Sequence, residues 1–203
     1  MRSLLGIPWA YEFFQRFSGF SHVRKVVLDR FLHLEPGSLI LDIGCGPGHI
    51  CTYLPLDTRY YGFDIDKHYI SYANERYGHR GQFFCRVFDA DCVNVFGSAD
   101  IVLLNGVLHH MNDDIAMSTL LTVHQALRPG GKFLSLDGCY HRGQNWIAKK
   151  LLDWDRGKFV RKEVEYRKLA MTNFDVIDTH VLEDLSVMPY TFIVMIGTRS
   201  HKR

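Results

Sequence analysis

Four apolar positions, Leu39, Ile40, Leu41 and Ile43, run with almost no alternation into Gly44-Cys45-Gly46-Pro47-Gly48-His49. A strand with so little polar surface suits the middle of a parallel sheet covered on both sides. The three glycines then let the backbone turn sharply and approach a ligand with no side chain in the way. A buried strand opening into a glycine turn and a helix start restricts the chain to folds with helices on both faces of a parallel sheet.

The sequence from residue 38 onward keeps to that plan. Strand 38–43 leads to a helix from about 48, and strand 59–64 to a helix of about 67–77, with Asp66 as its N-cap. Strands 82–88 and 100–104 follow, then a helix of about 113–127. Arg128-Pro129-Gly130-Gly131 reads as a stop with a tight turn, and strand 132–137 closes the series. Such alternation predicts βαβ units. Two extended apolar runs, 174–183 and 189–197, are separated by a link too short for a crossover helix, so they pair antiparallel. The expected fold is therefore α/β, a doubly wound, mainly parallel seven-stranded sheet ending in an antiparallel hairpin.

At 203 residues the chain fits one domain. Residues 1–37 read as N-terminal helices, with Trp9, Phe13, Phe14 and Phe17 as a potential lid. Residues 38–137 are the core, 138–173 an insertion on the substrate side, and 174–199 the hairpin. A formal charge of +2 is too small to imply nucleic acid. Five cysteines (45, 51, 85, 92, 139) show neither a CxxC pair nor a zinc spacing, which points to free thiols in a reducing compartment. No apolar run reaches the ~18 residues of a membrane span, and no cleavage site follows the N-terminus. The expectation is a cytoplasmic protein without a metal.

A dinucleotide turn reads G-x-G-x-x-G. Here the third glycine, Gly48, comes one residue early, and an acid, Asp42, precedes the turn. Asp42-Ile43-Gly44-Cys45-Gly46-Pro47-Gly48 resembles the D/E-x-G-x-G-x-G turn of class I S-adenosylmethionine-dependent methyltransferases. Asp64 at the end of the second strand, Asp89-Ala90 after the third, the segment from Asp100 through Asn105 to Met111, and Leu127-Arg128-Pro129-Gly130-Gly131-Lys132 match that family in order. The resemblance implies S-adenosyl-L-methionine as the cofactor. It makes Asp64 the acceptor of both ribose hydroxyls, a charge-assisted pairing, and puts Ile65 on the adenine face. Asp89 and Ala90 would meet the adenine amino group, and the Asn105 carbonyl would face the methionine ammonium. Gly44, Cys45 and Gly46 would form the turn, with Asp42 bracing it through backbone N–H groups. Cys45 has no base nearby in sequence and is not read as a nucleophile. A nicotinamide-dependent oxidoreductase and a non-catalytic subunit of the same fold are the competing readings.

Methyl transfer from a sulfonium is an in-line displacement, for which positioning alone can supply ~7–11 kcal/mol. A base is needed only for a hydroxyl or a protonated nitrogen. Asn105-Gly106-Val107-Leu108 is not the N/D-P-P-Y/F of enzymes that methylate adenine or glutamine. There is no Pro-Cys after the fourth strand and no RNA-binding appendage. What remains is a small-molecule acceptor, with no nucleic acid and the chain acting as monomer or homodimer. His141, just after the fifth strand, is the candidate base. Tyr11, His110, Arg142, Arg156 and Arg161 are candidate acceptor contacts, the arginines as bidentate clamps on an anion or, alternatively, as part of a solvated basic loop. Of His109 and His110, at least one is expected to be structural.

Overall fold

Strand β1 (Leu39–Ile43) is buried at all five positions. It pairs in parallel with β2 (Arg59–Asp64) on one side and β4 (Ala99–Asn105) on the other. β3 (Gln82–Cys85) extends the sheet beyond β2, and β5 (Leu127–Tyr140) beyond β4, both in parallel. β8 (Phe192–Thr198) then runs antiparallel between β5 and β7 (Val176–Leu182). The order β3-β2-β1-β4-β5-β8-β7 is the doubly wound sheet with the terminal hairpin that the sequence predicts. These are coordinates of a computed structural model, which describes residues 19–155, 157–183 and 185–200. Tyr11, Arg156 and the aromatic residues at 9–17 lie outside the described residues.

Alternate residues of the central strands serve two cores. Leu39, Leu41, Ile43, Val102 and Leu104 face α3 (Ala90–Phe96), α4 (Asp113–Ala126) and α6 (Glu163–Ala170). Ile40, Ile101, Leu103 and Leu134 face α1 (Phe20–Phe31), α2 (Lys67–Tyr77) and α5 (Trp146–Asp153). Burying both faces is what removes alternation from the sequence, and each large apolar side chain so covered contributes roughly 1.5–3 kcal/mol. Asp66 caps α2 as expected, its Oδ1 accepting the N–H of His68 at 2.8 Å. Among the described residues no helix is long and apolar enough to cross a membrane.

Several elements differ from the sequence reading: the strand read as 82–88 ends at Cys85, and α3 follows it where no helix was expected. The helix expected from residue 48 is a single 3-10 turn, His49–Tyr53. Pro55 ends it, because the residue before a proline is driven out of the helical region, and Leu54 sits at φ −90°, ψ 155°. The stop at 128–131 does not separate a helix from a strand. β5 already begins at Leu127, with a register shift opposite Ala99 and Ile101. There Gly130 donates to the Arg199 carbonyl and Arg199 to that of Gly131. Finally, an eighth strand, the two-residue β6 (Arg161–Lys162), pairs in parallel with Cys139 and Tyr140. It is too short to give a periodic signal.

Candidate functional site

The strand order reverses between β1 and β4, and in open α/β sheets ligands bind outside the carboxyl ends at such a point. A cavity of about 810 Å³ opens there. Its floor is made by Ile43, Gly44 and Gly46 after β1, Asp64 and Ile65 after β2, Asn105 to Val107 after β4, and Leu136 to Gly138 of β5.

The glycines of the turn have different causes. A Cβ on Gly44 (φ 73°) would lie 2.5 Å from Val107 Cγ2, so packing demands that glycine. A Cβ on Gly46 (φ 55°) would meet nothing within 4 Å, although the residue lines the cavity. Protein packing therefore does not require the open space beside Gly46, which suits a ligand. Asp64 stands next to it, accepting the Gly46 N–H at 2.9 Å on Oδ2 and the Asp66 N–H at 2.8 Å on Oδ1. Each oxygen keeps a lone pair for a hydroxyl. Burial raises the Asp64 pKa, and the two backbone N–H bonds offset part of the rise. Asn105 Nδ2 is buried and has no hydrogen-bond partner among the described residues.

Asp42 does not brace the turn through backbone N–H groups as expected. It is buried and accepts the Tyr60 hydroxyl at 2.6 Å, while its other oxygen has no hydrogen-bond partner among the described residues. Burial pushes its pKa up to about 7, against the opposing influence of Tyr60 and Arg24. Asp42 and Cys45 border a side pocket of about 30 Å³ that also touches Arg24 and Asn105. Burial raises the Cys45 thiol well above its usual range, so it is inert. Arg24, from α1, borders both the main cavity and this side pocket. Sequence reasoning missed it, because nothing local marks one arginine of an amphipathic helix as facing a turn twenty residues later. A carboxylate for a diol, an orphaned amide, an open glycine and a nearby cation fit S-adenosylmethionine.

Asp89 and Ala90 do not line the cavity. The Asp89 carboxylate caps α3 through the Cys92 N–H at 3.0 Å and pairs with Arg86. Val87 and Phe88 reach the cavity wall instead.

The far end of the cavity holds a network that the sequence did not reveal. His109, in the 3-10 turn Leu108–His110, is 7% exposed. Its Nδ1 lies 2.8 Å from Asp137 Oδ1, which also accepts the His109 backbone N–H at 3.2 Å. Its Nε2 lies 3.5 Å from Asp155 Oδ1. Asp155 in turn accepts the Tyr190 hydroxyl and the Gly157 N–H, each at 2.8 Å. Burial opposes a charged imidazole, but the hydrogen bond to Asp137 and the negative charges of Asp137 and Asp155 outweigh it and raise the His109 pKa to about 9. Burial would likewise raise the Asp155 carboxyl, but His109 and the Gly157 N–H hold it well below the usual carboxylate range. Held between two carboxylates that favour its charged form, His109 is poorly placed to act as a general base. Its partners lie 28 and 46 residues along the chain, beyond any local pattern.

Of the acceptor-side candidates, His110 lines this cavity. His141 is exposed in the loop after β5, its backbone N–H bonded to Gln144, and it does not line the cavity. Arg142 is exposed beside it and also off the cavity. Arg161 is a structural clamp that does not line the cavity. Its guanidinium meets Asp113 at 2.7 Å and the carbonyls of Leu108, Phe159 and Met111 at 3.0, 2.9 and 2.6 Å. It ties the histidine-bearing turn to the insertion.

Residues 41–133 match the family described as a methyltransferase domain. The chain is 32% identical over 152 residues to the tRNA (carboxymethyluridine(34)-5-O)-methyltransferase ALKBH8 of Macaca fascicularis, covering 72% of this chain and 22% of that protein. It is 33% identical over 115 residues to phosphoethanolamine N-methyltransferase 1 of Arabidopsis thaliana, covering 53% of this chain and 22% of the relative. The chain thus spans about a fifth of those proteins. Over 146 residues it is 27% identical to an uncharacterised methyltransferase of Synechocystis, covering 69% of this chain and 66% of the relative. A solved complex of the Haloferax volcanii Trm112 methyltransferase activator with a methyltransferase shares the fold, at TM-score 0.74 and 18% identity over 96% of this chain and 95% of that one. The glycine turn and the sheet order agree with these likenesses, and residues 41–133 form an S-adenosylmethionine-dependent methyltransferase domain with the class I fold.

Proposed function

We propose that the protein transfers a methyl group from S-adenosylmethionine to a small-molecule acceptor held at the His109 end of the cavity. The observation that carries this reading is the continuity of one cavity. The glycine turn, Asp64 and Asn105 form one end, and Met111, Ile115, Met188, Tyr190 and Phe192 wall the other. About 810 Å³ falls within the ~300–1,000 Å³ of small-ligand sites.

When bound, the cofactor supplies a sulfonium methyl group open to in-line displacement. Asp64 would accept the ribose hydroxyls, Ile65, Val87 and Phe88 would flank the base, and Arg24 would face the carboxylate of the methionine end. The apolar walls keep water from the acceptor and hold its nucleophile in line, the source of rate in such a reaction. Two of the three arginines invoked for an anionic acceptor do not support one: Arg161 is structural and Arg142 is off the cavity, while Arg156 lies outside the described residues. The wall favours a largely apolar acceptor with one nucleophilic oxygen or nitrogen.

Calorimetry with S-adenosylmethionine and with NAD, followed by tritiated methyl transfer to a metabolite panel and to tRNA, tests the reading. Binding of the first and label in a metabolite are expected. Label in tRNA alone, binding of NAD alone, or cofactor binding with no labelled product would overturn it.

A further inference from the structure

His109, His110 and Asp155 bring two imidazoles and a carboxylate together at the acceptor end of the cavity. Their ligand atoms all lie within 4.8 Å of one another, the one such group among the described residues. We propose that these three side chains form a binding site for a divalent transition-metal ion such as zinc, with Asp137 as the buried acceptor that orients His109.

Three features of the geometry support it. First, Asp137 Oδ1 takes the Nδ1 side of His109 at 2.8 Å, as well as its backbone N–H. A metal-ligating histidine characteristically donates its second ring N–H to a carboxylate, which fixes the ring and leaves Nε2 to the metal. Second, Nε2 and Asp155 Oδ1 are 3.5 Å apart. That is long for a hydrogen bond of 2.7–3.2 Å, but close to the separation of about 3.4 Å between tetrahedral ligands on ~2.1 Å bonds. Third, the Asp155 carboxylate is held in orientation by Tyr190 and Gly157 rather than left to rotate. His110 is exposed and lines the cavity, its ring centroid 4.2 Å from that of His109.

Two imidazoles and one carboxylate suit zinc or a similar transition metal better than magnesium. Three protein ligands leave coordination positions free, and here they would face the cavity, where an oxygen or nitrogen of the acceptor could occupy one. The site deepens the methyltransferase reading, but its existence can be tested without turnover.

Chelator-treated full-length protein is titrated calorimetrically with zinc, manganese and magnesium chloride, and then with S-adenosylhomocysteine. One zinc ion per chain is expected, with affinity at least tenfold weaker in both His110→Ala and Asp155→Asn and no competition from millimolar magnesium. A thermal melt of each variant establishes that it folds before its zinc affinity is compared. No saturable zinc binding, or zinc binding equal in the wild type and both variants, would overturn the proposal, since the ion would then sit on other histidines or on thiols. Retained S-adenosylhomocysteine binding in that case isolates the failure to the metal site, whereas its loss would strike the cofactor reading instead.

Discussion

The Tyr60 hydroxyl donates to Asp42 Oδ2 at 2.6 Å beneath the glycine turn, from the strand paired with β1. It is the one hydrogen bond to this carboxyl among the described residues, and the other oxygen is orphaned. Burial raises the Asp42 pKa from 3.8 to about 7, so the folded state binds the proton more tightly than the unfolded chain. Stability that this group contributes in its neutral form is complete below pH 4 and lost as pH rises through 7. Asp42→Asn should match the wild type near pH 4 and exceed it above pH 7, the gap opening between those values. Every tenfold difference in proton affinity between the folded and unfolded chain corresponds to ~1.4 kcal/mol. Urea melts of both proteins at pH 4 to 8 would show it; parallel curves would mean that the carboxyl titrates normally.

Asp64→Ala should weaken S-adenosylhomocysteine binding by about 10- to 100-fold, because hydrogen bonds to a charged group contribute ~1.5–3 kcal/mol. The same change releases the Gly46 N–H, so the turn also loses its brace. Asp64→Asn, which keeps an acceptor oxygen, should fall between. Calorimetry on the three proteins decides, and equal affinities would remove Asp64 from the site.

Arg161→Lys should lower stability by roughly 2–4 kcal/mol. A single ammonium cannot reach Asp113 and three carbonyls in one geometry, and buried acceptors left unpaired cost ~1–3 kcal/mol each. The Asp113 side chain is mostly exposed, so the ion pair itself contributes little. The carbonyls carry the effect. The thermal midpoint should drop by on the order of 5–15 °C, with cofactor affinity unchanged when measured well below the transition.

His141→Ala should leave turnover as it is, once an acceptor is in hand, since the residue lies off the cavity. Gly157→Ala should not. A Cβ there would lie 2.0 Å from His109 Cδ2, so the ring or the loop must move. Steady-state rates of the two variants, taken side by side, check both statements. A fall with His141→Ala alone would return the base to the loop after β5.

The parts of the fold that were legible were those written in local pattern. The unalternating β1, the Asp66 cap of α2 and the short link before β8 each express a rule acting over a few residues, and each stands in the structure. The glycine turn and Asp64 were legible for the same reason. The His109–Asp137–Asp155 network was not, because its members come from three segments joined only by the sheet. Arg161 was misread because a lone arginine in a basic loop carries no sign that four acceptors will surround it. Asp89 was read as a ligand contact, yet it caps a helix and pairs with its neighbour Arg86, a local role that its position before Ala90 already allowed.

Arg161 binds carbonyls of a turn some fifty residues earlier, which divides the chain by task. The groups proposed to face the donor, Arg24 through Asn105, all lie before the histidine turn. The wall proposed for the acceptor is collected, Phe20 apart, from later segments: the histidine turn, β5, the end of α5 and the start of β8. A lineage can therefore exchange one acceptor for another by altering late segments while its donor cradle stays intact. The guanidinium that stitches those segments to the turn sets how far they can drift before the chamber comes apart.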